Sequence, residues 1–145
     1  MLMTIATILS RKKKPLVTIE PGIPVINALQ LMQEHNIGSV IVVDDKQNYL
    51  GLFTERDYSR KVALLGKNSG TTSVAEIMSK DTPVVSTSAT IDACIEMVNT
   101  LQARYLPVIE NKKAVGIISI LDLIEETASQ HKFAADNMEQ YIRNS

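Results

Sequence analysis

The chain has 145 residues, a formal net charge of −1 and 45% hydrophobic residues, enough for one domain or two half-size lobes and too apolar for wholesale disorder. The near-neutral balance argues against a general nucleic-acid binder, and a single cysteine, Cys94, excludes an internal disulfide framework or a cysteine-rich zinc site. Aromatic residues are only 4%, so the core must be aliphatic, and no apolar run approaches the roughly 18 residues of a membrane span.

In chain order, the first predicted element is a short helical turn ending near Leu9. The stretch from Met1 to Lys14 runs from apolar to basic, the reverse of a secretory signal, so a cytoplasmic location is expected. The charge run Arg11–Lys14 reads first as a solvated loop, with acidic lipid or nucleic acid as weaker alternatives. An extended piece at Leu16–Ile19 leads to an amphipathic helix over Pro24–His35, with Pro24 suited to its first turn. Ser39–Val43 reads as a buried strand, Asp44–Asn48 as a turn, and a second strand ends at Phe53. A second helix starts at Thr54, and Lys67–Ser73 is a Gly/Ser/Thr/Asn-rich connector.

The same series then returns. A helical turn ends near Met78, Val84–Val85 is extended, and a helix over Thr90–Leu101 has Thr90 as its N-cap. Strands follow at Tyr105–Ile109 and to Ile118, around a turn at Glu110–Lys113, and another helix starts at Ser119. Ile124–Ser145 reads as a continued helix or helical tail carrying Phe133, Met138 and Ile142.

The return is an internal repeat. Val25–Met32 falls on Ile91–Val98, and Val40–Asp44 on Leu106–Glu110, at an offset of 66. Gly51–Asp57 falls on Gly116–Asp122 at 65, Pro15–Thr18 on Pro83–Ser86 at 68, and Ala6–Ser10 on Ala75–Ser79 at 69. The changes of offset fall in loops. Each unit is marginal alone, and two packed sheet to sheet bury a shared core. The predicted fold is therefore α/β (more strictly α+β), two β-α-β-β-α repeats related by a pseudo-two-fold axis. The expected bounds are 5–66 and 74–124, with a connector at 67–73 and a tail at 125–145.

Both copies contain Gly-h-h-[Thr/Ser]-x-x-Asp at a strand-to-helix corner, where h is an apolar residue: Gly51-Leu-Phe-Thr54-Glu-Arg-Asp57 and Gly116-Ile-Ile-Ser119-Ile-Leu-Asp122. The pattern is close to a capping box, which satisfies the free N–H groups of a helix start. The same geometry presents N–H donors and positive dipole to a phosphate. An ionised carboxylate can also accept both hydroxyls of a ribose. Gly51 and Gly116 are expected to leave room for a ligand at the backbone.

With these motifs, the strands Gly38–Val43 and Arg104–Val108, and their spacing, the chain resembles a tandem pair of CBS domains, a Bateman module, of the small stand-alone bacterial type. Its coverage runs from about Ile5 to Ile124. The resemblance implies a ligand-sensing module that binds an adenosine-containing molecule (AMP, ADP, ATP, S-adenosylmethionine or NAD(H)) between the repeats. It implies that Asp57 and Asp122 take the ribose, with Thr54 and Ser119 near ribose and phosphate. It places Ile37, Gly38, Ala103 and Arg104 at strand starts lining the adenine or phosphate region, and Thr18 and Ser86 where an extended segment passes the base. It implies a homodimer and an unidentified regulated protein.

The two sites are not equivalent. Glu55-Arg56 stands beside Asp57 where Ile120-Leu121 stands beside Asp122, and Arg104 has Gly38 as its counterpart. Arg104 and Arg56 are phosphate candidates; Arg56 and Arg60, at i,i+4 on one helix face, read as a phosphate clamp or as a solvated face beside Glu55. Residues 1–72 carry a net +3 and residues 73–145 a net −4, an asymmetry that would orient two chains head to tail or steer an anion to the first repeat. Cys94 and His35 read as structural. No Ser/His/Asp or Cys/His set and no P-loop occurs, so catalysis, a catalytic cofactor and a metal are not expected. The competing reading is a ligand-independent dimerisation or interaction module with vestigial pockets.

Overall fold

Two mixed helix-and-strand lobes meet through their sheets in the computed structural model, which describes residues 3–12 and 15–129. The first lobe's sheet orders β1 (Thr18–Ile19), β2 (Ser39–Val43) and β3 (Tyr49–Thr54); β1 is parallel to β2 and β3 antiparallel. The second lobe's sheet pairs β4 (Tyr105–Glu110) with β5 (Lys113–Ser119), and Val85 adds a parallel bridge to Val108. Each hairpin has a register shift at the equivalent position, between Val42 and Val43 and between Val108 and Ile109. The repeat seen in sequence is thus repeated in pairing detail.

All five residues of β2 are buried. Val40 and Val42 point into the first lobe's core with Phe53 and Met32. Ile41 and Val43 face the other way and, with Leu52, form the seam between sheets against Tyr105, Ala114 and Ile117. A strand covered on both faces has no polar side to show, which is why it reads as a continuous β-branched run.

Helix α2 (Val25–His35) starts one residue later than the sequence suggests. Pro24 has ψ 145° and stands as the N-cap, outside the helix. Its counterpart α5 (Ile91–Leu101) has the expected cap, with Thr90 Oγ1 accepting from the Ala93 N–H at 3.1 Å. Cys94 is fully buried on that helix and belongs to the core, and burial pushes its thiol pKa up.

The short helices change places between the lobes. Helix α1 (Ile5–Arg11) buries Ile5 and Ile8 among Val108, Ile118 and Leu123 of the second lobe. Helix α4 (Val74–Ile77) buries Val74 and Ile77 in the first lobe. Gly51 and Gly116 serve this exchange. A β-carbon at Gly51 would stand 2.9 Å from the Ser79 carbonyl, and one at Gly116 2.6 Å from Leu9 Cδ2. The room expected for a ligand at these glycines is filled by the exchanged segments.

Helix α3 (Glu55–Tyr58) runs into a wider π-type turn at Ser59–Ala63, whose Val62 is buried in the first lobe's core. Residues 120–129 are helical. The tail residues Phe133, Met138 and Ile142 lie outside the described residues. No helix among the described residues is long and apolar enough to cross a membrane.

Candidate functional site

The corner between β3 and α3 is held by a complete capping box. The Asp57 N–H donates to Thr54 Oγ1 at 3.1 Å, and the Thr54 N–H donates to Asp57 Oδ2 at 3.0 Å. The Thr54 hydroxyl also donates to Oδ2, at 3.1 Å. Asp57 is 6% exposed, so its other oxygen needs partners too. Ser79 Oγ, beyond α4, donates to Oδ1 at 2.9 Å, and Lys61 Nζ approaches it at 3.0 Å. Lys61 also donates to the Ile77 carbonyl at 3.1 Å. The cap and the segment after α4 therefore meet on one carboxylate, and Lys61 ties that carboxylate to α4.

A cavity of about 270 Å³ opens beside it. From the first repeat it is lined by Gly38, Leu52, Thr54, Glu55, Arg56 and Asp57. Ser79, Thr82 and Pro83 follow, and Leu101 to Tyr105 close the far wall. Tyr105 lies across Gly38, where a β-carbon would collide with its hydroxyl. Burial, with Glu55 adding to it, raises the Tyr105 pKa, so the phenol is neutral. Arg56 and Arg104 are exposed and form no salt bridge with a described residue. The site thus offers two uncommitted guanidiniums and a hydroxyl-rich wall to an anion.

Of the residues expected from sequence, Thr54, Arg56, Asp57, Gly38, Ala103 and Arg104 are brought together here. Ile37 is partly buried against the first core rather than on the cavity wall, and Thr18 pairs with Ile41 in the sheet. Ser86 shares a hydrogen bond with Ser88 at 2.9 Å. Arg60 is exposed and does not line the cavity wall with Arg56.

Ser119 and Asp122 form the equivalent corner of the second lobe. The Ser119 N–H donates to Asp122 Oδ2 at 2.8 Å, and the Asp122 N–H to Ser119 Oγ at 3.1 Å. Arg11 and Lys12, read as solvated, are instead committed to this lobe: Arg11 to Glu126 at 2.6 Å and Lys12 to Asp122 at 2.9 Å. Ser79, Tyr105, Thr82 and Lys12 were not singled out as site residues in sequence. The alignment of Ser10 with Ser79 was the available signal, and it marks a position without showing where it docks. Among the described residues no group of three or more His, Cys, Asp and Glu side chains could hold a metal ion.

Residues 7–64 and 74–129 each match the CBS domain family, and the chain belongs to that family as a tandem pair. The crystal structure of the CBS domain protein NE2398 superposes with a TM-score of 0.82 at 35% identity, covering 88% of this chain and 99% of that one. The mitochondrial CBS domain-containing protein CBSX3 of Arabidopsis thaliana is 28% identical over 123 residues. That match takes in 82% of this chain and 60% of CBSX3, so the chain spans less than two thirds of that relative. The CBS domain pair of protein MJ0100, in complex with 5′-methylthioadenosine and S-adenosyl-L-methionine, has a TM-score of 0.78 at 20% identity. It covers 90% of this chain and 99% of its own, a likeness of fold.

Proposed function

We propose that the chain is a regulatory module that takes an adenosine-containing nucleotide in the cleft at Asp57 and transmits occupancy through the contact between its lobes. The observation that carries this reading is the origin of the cleft wall. Thr54, Arg56 and Asp57 come from the first repeat, and Ala103, Arg104 and Tyr105 from the second. A ligand there touches both lobes, and it shifts their arrangement by the difference in its affinity for the two states.

In this reading the ribose hydroxyls take Asp57 Oδ1 from Ser79 and Lys61. Arg104 and Arg56 meet the phosphate. A purine lies against the aliphatic wall of Leu52, Pro83 and Leu101. The volume lies just under the roughly 300–1,000 Å³ of small-molecule sites, which favours a mononucleotide over a dinucleotide. The adenosine compounds held by MJ0100 support the choice of ligand class.

Thermal unfolding with AMP, ATP, NAD and S-adenosylmethionine tests the proposal. A ligand at about 100 times its Kd stabilises by about 2.7 kcal/mol, which raises Tm by several degrees. A flat result with all four overturns the reading and leaves a ligand-independent interaction module.

A homodimer is part of the same proposal. An apolar groove of about 460 Å³ lies between α5 and residues 120–128, lined by Ile95, Val98, Leu123 and Ile124. Leu121 (61% exposed) and Ile124 (57%) extend the apolar surface. Sedimentation should give a dimer, and Ile124→Glu should shift it to monomer; a monomeric wild type refutes the arrangement.

A further inference from the structure

The two cap carboxylates are neutralised by lysines from unrelated places in the sequence. In the first lobe the ammonium is local: Lys61 lies four residues after Asp57. The repeat offset of 65 carries Lys61 onto Glu126. In the second lobe, then, an acid stands four residues after Asp122 on the same helix, a like-charge pair on one face. Glu126 is 8% exposed and needs a partner.

The N-terminal arm supplies the missing cations. Arg11 Nη1 donates to Glu126 Oε1 at 2.6 Å. Lys12 Nζ donates to Asp122 Oδ2 and to the Ile117 carbonyl, each at 2.9 Å. Ile5 and Ile8 anchor the arm in the second lobe's core, so these charges arrive on the lobe to which their own repeat does not belong.

We infer that Arg11 and Lys12 form the cation set of the second site and that Lys12 sets its preference for an anionic ligand. The inference rests on the nucleotide reading above. The other cations of the first site have no counterpart here: Leu121 stands for Arg56, and Gly38 for Arg104. Without the arm, the charged partners described at this corner are the carboxylates Asp122 and Glu126. Asp122 Oδ2 accepts from Ser119 and Lys12, while Oδ1 accepts from no described residue. A ribose hydroxyl can therefore take Oδ1 with Lys12 still in place. The lysine's flexible stem and three donors let it keep the carboxylate and meet a phosphate.

Calorimetric titration of an Asp57→Ala chain, which isolates the second site, tests this with AMP and adenosine. AMP should bind more tightly than adenosine. Adding Lys12→Met should weaken AMP roughly tenfold or more, the loss of one charge-assisted hydrogen bond, and leave adenosine binding in place. Lys12→Arg should restore AMP. Equal weakening of both ligands marks Lys12 as merely structural and overturns the inference, as does unchanged AMP binding. If wild type binds AMP and the Asp57→Ala chain does not, the second-site inference fails and the first-site reading stands. If wild type binds neither ligand, both fail. Circular dichroism of each variant confirms that the chain compared is folded.

Discussion

Asp57→Ala is expected to weaken AMP binding at the first site by roughly 100-fold or more, the loss of two hydrogen bonds to a charged group. The same change should cost ~1–3 kcal/mol of stability. Two losses add up to that cost. The Thr54 N–H and hydroxyl lose their shared acceptor at the start of α3, and Ser79 loses the acceptor that ties the segment after α4 to the first lobe. Lys61 contributes less, because its side chain is 43% exposed and water screens the pair. A helix cap alone would account for about 1 kcal/mol. Urea unfolding gives the stability term as a lower midpoint with an unchanged slope. Titration with AMP gives the other. An alanine chain that unfolds earlier but binds AMP as wild type does would make Asp57 a cap and nothing more.

Phe53→Ala should be the most destabilising single change, at about 3–5 kcal/mol. Phe53 is fully buried and is the largest of the fully buried side chains among the described residues. It lies on β3 immediately before the capping threonine, so its cavity would open directly beneath the site. Against a total of about 5–15 kcal/mol for a typical domain, the loss is a large fraction. Leu64→Ser is the matched control, because Leu64 is 78% exposed and should change stability within about 0.5 kcal/mol. A Phe53→Ala chain with the unfolding midpoint of wild type would contradict the packing described for this core.

What could be read in the sequence was set by local chemistry. Ser39–Val43 is legible because five apolar or small residues in a row suit a strand buried on both faces. Thr54 and Asp57 are legible because a capping box needs only residues three apart. Arg104 was expected at the cleft only through the resemblance to CBS pairs, which places the strand starts there. The destinations of α1 and α4 were not legible. The apolar face of Ile5 and Ile8 announces burial, yet nothing in its spacing says which lobe receives it. The same limit hid Lys12 and Ser79, whose partners lie 110 and 22 residues away.

The exchange of the short helices also fixes an order of assembly. During synthesis α1 is made first, but its partners Ile118 and Leu123 follow more than 100 residues later. Its apolar face has to wait, and closing so long a loop adds to the entropy that slows folding. The first lobe, by contrast, is complete as soon as Ile77 has emerged from the ribosome. A break in the connector at 67–73 would therefore not give two domains. Each fragment would lack one helix of its own core and carry one that belongs to the other, so the pair should fold only as complements, together in one tube.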